Sequence, residues 1–260
     1  MIRRAFTLVE LLVVISIIGL LSTIAITQMS SSREKARIAR GLSYEGTVYQ
    51  AVGNDLVAQW DFNDCSGASA MDSNGAGNAG TLNAGASWSS NTPNGSGCSV
   101  LLNGTSGYVS VPYSSNSSSS WTYSAWFNSS SAVSRSIVSL RSTLLRAGST
   151  GIDWWPDVNV APMSIAKNIS LNVWHQVTVD QNGTAYAIYL DGGLIGSGTS
   201  AAVNNANSSN YIGYDAYTGA FWSGLIDNVR VYGRSLSSRE IWRLYAEEAP
   251  HHGLVVSLNI

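Results

Sequence analysis

The sequence predicts an α+β chain in which a long N-terminal α-helix precedes an all-β sandwich. Three observations predict it. Leu8 to Ile26 is an apolar run whose only charge is Glu10; from Leu56 onward the hydrophobic period changes from helical to alternating; and Gly, Ser, Asn and Thr crowd the chain from about residue 63, as short strands joined by many turns require. The 260 residues, 45% of them hydrophobic, suffice for a sizeable core. Charged residues are only 12% and the net charge is −2, so no basic surface for nucleic acid is expected. The basic residues that do cluster, Arg33, Lys35, Arg37 and Arg40, directly follow the apolar run and read as its solvated flank.

The 19 residues from Leu8 to Ile26 would span about 28 Å as a helix, close to the roughly 30 Å of a bilayer core. Thr27-Gln28-Met29 and a charged, helix-compatible segment follow, so the small-residue cleavage site that ends a secretory signal is not expected after the run. A carboxylate at mid-bilayer costs roughly 2.5–3.5 kcal/mol, so Glu10 is expected to have a partner. Ser16, Gly19, Ser22 and Thr23 are small residues at helical spacings that let apolar helices approach closely, and Gly19 is where such a helix loosens most readily. The spacing predicts an amphipathic continuation from Ser30 to about Gln50, with Ile38, Leu42, Tyr49 and Val52 on one stripe that seats the globular domain. Gly41 and Gly46 each weaken it by about 1 kcal/mol, and Gly53-Asn54 is the natural stop.

In Trp121 to Phe127, residues Trp121, Tyr123, Ala125 and Phe127 fall on one face of an expected strand. Similar runs are Tyr108 to Tyr113, Ser136 to Leu140, Tyr211 to Asp215 and Leu225 to Tyr232. WHQVTVDQNGTAYAIYLDG reads as a hairpin turning at Asn182-Gly183. Ser237-Ser238-Arg239-Glu240 reads as a capping box opening a short helix through Tyr245.

Two stretches carry a resemblance to known families. Arg3-Arg4-Ala5-Phe6-Thr7-Leu8-Val9-Glu10 is similar to the prepilin signature of type IV pilins. The resemblance implies a leader, residues 1–5, removed by prepilin peptidase between Ala5 and Phe6, methylation of the new Phe6 amino group, and a pilin helix over 6–54 with a transmembrane segment at 8–26. Phe6, Glu10 and Gly19 become assembly residues, with Glu10 facing the Phe6 ammonium of a neighbouring subunit. Ala5 stands where glycine is usual, which would slow processing, and Thr27 where a proline often introduces a kink.

The second resemblance is carried, in this order, by WDFNDCSG, GNAGTLNAGASW, LLNGTSGYVSVP, WHQVTV, IYLDGGLIG, YIGYD and GLIDNVRVYGRSLSSREI. It resembles the laminin G-like, or concanavalin A-like, jelly roll and implies such a domain over 55–248. The tail 249–260 is expected to add to a sheet edge, of its own head or of a neighbour's. Cys65 and Cys98, the only cysteines, are expected to pair in a domain displayed outside the cell; two free thiols is the alternative.

Enzymes of this fold draw two carboxylates from one strand, but no glutamate lies between Gly46 and Arg239 and the aspartates are scattered, so catalysis is not expected. The three histidines show no ligand spacing, and Ser106-Gly107 stands where relatives often carry an acidic doublet, so neither a metal nor a cofactor is expected. Trp154 and Trp155, beside Asp153 and Asp157, are candidate ligand-binding residues; alternatively one packs in the sandwich and the other covers a loop. The expected function is a structural subunit of a surface filament, displaying a lectin-like head for adhesion. The alternative is a minor pilin, or a pseudopilin of a secretion machine, with a carbohydrate-binding head. Expected partners are identical subunits, prepilin peptidase, the membrane assembly machinery and a surface glycan. The expected location is the cytoplasmic membrane and then the extracellular filament.

Overall fold

The computed structural model describes residues 11–16, 55–113, 119–157, 161–200 and 210–249. The chain divides into two compact units, 1–53 and 54–260. Of the first unit, residues 11–16 are helical (α1), with Leu11 to Ile15 exposed. Ala5, Phe6, Glu10, Gly19, the rest of the expected span 8–26, the amphipathic continuation to 54 and the tail 250–260 lie outside the described residues. Among the described residues no helix is long and apolar enough to cross a membrane.

The second unit is a jelly-roll sandwich. In chain order its strands are β1 (Leu56–Trp60), β2 (Ser69–Ala70), β3 (Gly80–Leu82), β4 (Ala86–Ser89), β5 (Ser99–Asn103), β6 (Val109–Ser110), β7 (Ser120–Ser129), β8 (Arg135–Leu140), β9 (Thr143–Gly148), β10 (Gly151–Trp155), β11 (Met163–Ala166), β12 (Trp174–Asn182), β13 (Ala185–Leu190), β14 (Gly193–Thr199), β15 (Tyr211–Ile212), β16 (Tyr214–Asp215), β17 (Ala220–Phe221) and β18 (Ser223–Tyr232). The first sheet runs β14-β13-β12-β7-β18-β5-β4, with β1 continuing beside β18 where β5 ends. The second runs β11-β10-β9-β8-β15-β6-β3-β2, and β16-β17 is a separate hairpin.

The core lies between the two large sheets. Trp121 stacks on Tyr123 at 4.2 Å between ring centroids and meets Trp154 of the opposite sheet at 5.3 Å. All three are essentially inaccessible to solvent. The alternation in β7 holds, with Trp121, Tyr123, Ala125 and Phe127 in the core, yet every residue of β7 after Ser120 is buried. Over part of the outer face the reason is the helix α2 (Ser238–Glu248), which packs on Trp126 and Gln176. Tyr245 stacks on Trp126 at 5.7 Å, the Trp126 Nε1–H donates to Glu248, and Arg230 Nη2 donates to the other Glu248 oxygen at 2.5 Å. A buried tryptophan N–H and one nitrogen of a buried guanidinium thus share one carboxylate, while Arg230 Nη1 has no hydrogen-bond partner among the described residues.

α2 opens with the expected capping box. The Ser237 side chain accepts from the Glu240 N–H and the Ser237 N–H donates back to Glu240 at 2.7 Å, while Arg234 Nη2 holds the same carboxylate at 2.7 Å. The helix runs to Glu248, three residues beyond the expected Tyr245, because Glu248 is where the buried pair needs it. The β12-β13 hairpin also differs by one step from the sequence reading. Asn182 pairs with Ala185, so the turn is Gly183-Thr184, with Gly183 at φ +62° in the first central position. Cys65 and Cys98 form a disulfide, with Cα atoms 5.5 Å apart, that ties two loops at the same end of the sandwich.

Candidate functional site

Among the described residues no helix lies on the outer face of the second sheet. Its register shows what that face presents, since directly paired residues point the same way. One row runs from Trp155 through Leu144, Ser139 and Tyr211 to Ser110. A second row runs Ser164, Asp153, Arg146 and Ser136.

Strand alternation separates the two tryptophans of β10. Trp155 lies on the outer face and is half-buried, whereas Trp154 is in the core with 0% exposure. Trp154 is therefore corrected from a candidate ligand contact to a core residue. Asp157 is buried, and Asp153 is the neighbouring carboxylate that reaches the face.

Arg146 organises the site. Its guanidinium carbon stands 4.6 Å from the centre of the Trp155 ring, a cation–π geometry. Its Nη2 donates to Asp215 and, at 3.1 Å, to Thr218 Oγ1. Asp215 and Thr218 belong to the β16-β17 hairpin, which bends over the face because Gly213 breaks what the sequence reads as one strand from Tyr211 to Asp215. Gly213 has φ +80°, and a Cβ there would come within 2.0 Å of Leu102 Cδ1, so both backbone angle and space demand glycine.

Burial pushes the Asp215 carboxyl up, but hydrogen bonds from Thr218 and the Tyr217 N–H, with the Arg146 guanidinium, outweigh it and hold the group below its ordinary 3.8. The residues around it are thus a fixed ion pair. Asp153 accepts from Ser134 Oγ at 2.7 Å and Ser164 Oγ at 2.6 Å, which fixes its carboxylate in turn.

Beside this polar group stands an aromatic cluster. Tyr214 stacks on Phe221 at 4.6 Å, and Tyr108 meets Tyr211 at 5.4 Å and Tyr214 at 5.2 Å. All four rings are partly exposed. The face therefore combines aromatic surface, held donors and acceptors, and both signs of charge, the physical requirements for recognising a polyhydroxylated ligand. Arg146, Asp215 and the tyrosines were missed in the sequence. The available signal was the alternation around Ile212, which places Tyr211 opposite a core residue.

Among the described residues no three His, Cys, Asp or Glu side chains gather as metal ligands. At Ser106-Gly107, Asn103 Oδ1 instead accepts the N–H groups of Thr105, Ser106 and Gly107, at 2.9–3.0 Å.

Two antiparallel sheets packed as a jelly roll define a lectin-like fold. Residues 103–242 match the family model for the Concanavalin A-like lectin/glucanases superfamily, and the chain belongs to that superfamily. Residues 1–26 match the model for the Prokaryotic N-terminal methylation motif, so the chain joins the two. No curated protein matches. Among solved structures, the chain is similar to domain 4 of AbnA, a GH43 extracellular arabinanase from Geobacillus stearothermophilus, in complex with arabinotriose, at 17% identity over 74% of this chain and 98% of that one, with a TM-score of 0.59. The binding domain of Paraclostridial Mosquitocidal Protein 1 is similar at 14% identity over 75% of this chain and 53% of that one (TM-score 0.59). The binding domain of botulinum neurotoxin serotype D is similar at 16% identity over 76% and 53% (TM-score 0.58). The chain spans about half the length of these toxin domains. At such identities the likeness is one of fold.

Proposed function

We propose that the protein is a type IV pilin or pilin-like subunit, cut between Ala5 and Phe6, held in the membrane by its apolar helix and assembled with identical subunits into a surface filament. The observation that carries this reading is the methylation motif at residues 1–26 on the same chain as a lectin-like domain. The same pairing supports a structural or binding protein over an enzyme. The head binds a surface glycan on the outer face of the second sheet, with Trp155 and Tyr211 as stacking surfaces and Arg146, Asp153 and Asp215 as polar contacts. Support for this comes from the held geometry of Arg146, Trp155 and Asp215 on a face that no helix covers among the described residues.

Two measurements test the reading. Mass spectrometry of sheared surface filaments should find this subunit beginning at a methylated Phe6, and its absence from filaments refutes assembly. On a panel of immobilised glycans, the purified chain should bind at least one glycan and Trp155→Ala should lose it. Equal binding by both proteins places the ligand elsewhere.

A further inference from the structure

The outer face of the first sheet is not fully covered by α2. Beyond the helix, one cross-strand row runs Ser87, Leu101, Leu225, Asn128 and Trp174. Its first four residues line a groove of about 380 Å³, walled by Asn91, Asn103, Ser130, Asn172 and Ser223. Leu101 is 42% exposed on its floor. Asn128, from the middle of the sheet, is 7% exposed, lines the groove and has no side-chain hydrogen bond among the described residues. Its amide opens into the groove, where an occupant that both donates and accepts would complement it.

We propose that the groove is the seat of this chain's own C-terminal segment, residues 254–260. Four observations converge on it. The chain leaves α2 at Ala249, which packs with Trp126, Trp174 and Leu225, at the groove's edge. Pro250 then prevents the helix from continuing over the row. In Leu254-Val255-Val256-Ser257-Leu258-Asn259-Ile260 every second residue, Leu254, Val256, Leu258 and Ile260, is apolar, so an extended chain has one side to lay on Leu101 and Leu225. Its backbone supplies the donor and acceptor that Asn128 lacks. Neither the groove lining nor residues 254–260 include an ionisable side chain. The reach suffices: seven extended residues span about 23 Å, and the four strands that line the groove about 14 Å.

The test uses the full chain in detergent micelles, with the photo-crosslinker p-benzoylphenylalanine at position 258. Illumination should give a product with monomer mobility, and mass-spectrometric mapping should join position 258 to segments 99–103, 128–130 or 223–225. A crosslink elsewhere, or none, overturns the proposal, and a crosslinked dimer overturns it in favour of a neighbour's tail as occupant. In parallel, Asn128→Ala should lower the urea midpoint of the full chain but leave that of a chain lacking 254–260 nearly unchanged. An equal shift in both backgrounds shows that Asn128 does not meet the tail.

Discussion

At the scale of single residues, adjacent side chains divide between stability and recognition according to which way the strand turns them. Trp154 and Trp155 are neighbours, but only Trp154 packs against Trp121 and Tyr123. Trp154→Ala is expected to cost about 3–5 kcal/mol of stability, as removing a fully buried large aromatic does. Trp155→Ala leaves the core untouched and should cost less than about 1 kcal/mol, so urea denaturation of the two variants should separate them clearly. Asp215 provides a pH signature. Its carboxyl titrates below the 3.8 of an unfolded carboxylate, so its contribution is complete above that value and is lost as pH falls through the lowered one. Asp215→Asn should therefore destabilise the protein at pH 7, and the difference from wild type should shrink toward pH 3. A constant difference across that range would mean that the Arg146–Asp215 charge contributes nothing.

Among the elements, what could be read from the sequence was whatever depends on local pattern. The capping box at Ser237 to Glu240 was legible because both partners lie within one turn of helix. The core face of β7 was legible from its alternation. That its other face is also buried was not, because part of the cover comes from α2, more than a hundred residues away. The run Tyr211 to Asp215 was read as one strand because its residues favour extended structure. Gly213 interrupts it for a reason in Leu102, which no local window contains. The Gly183-Thr184 turn is set by the pairing of Asn182 with Ala185, and Asn182-Gly183 would have shifted that register by one residue. The cap also carries a prediction. Burial pushes the Glu240 carboxyl up, but Arg234 and Ser237 outweigh it and hold the group down to about 2. Its contribution is therefore present above about 4.5 and is lost as pH falls toward 2. Glu240→Gln should lower the melting temperature at pH 7, and the gap to wild type should close between pH 4.5 and pH 2. Ser237→Ala removes the other half of the box, at about 1 kcal/mol, and because the Ser237 hydroxyl also donates to the Glu240 carboxylate, part of that cost should fade as pH falls below 4.5.

For the whole molecule, the change of period near Leu56 marks where the β unit begins, and β1 starts there. The candidate site was nearly invisible, because Arg146, Trp155 and Tyr211 meet only through the sheet's register, and Tyr108 and Asp215 join them from the segment before β6 and from the separate β16-β17 hairpin. The N-terminal segment is the reverse case, for its chemistry is written in a few adjacent residues. In the proposed filament, the Glu10 carboxylate meets the Phe6 ammonium of the adjoining subunit inside an apolar bundle of helices. Glu10→Ala would leave that ammonium buried without its counter-charge, at a cost of several kcal/mol per subunit. The single subunit in the membrane, by contrast, loses a polar group that costs roughly 2.5–3.5 kcal/mol at mid-bilayer, so insertion should be undiminished. The two effects have opposite signs, which separates assembly from anchoring. Cells producing Glu10→Ala should cleave the precursor and retain it in the membrane, yet show few or no filaments by electron microscopy. Glu10→Asp keeps the charge with one methylene less reach and should give an intermediate number. Wild-type filament numbers from Glu10→Ala would show that assembly is driven by helix packing alone, through small residues such as Gly19, and not by the charge pair.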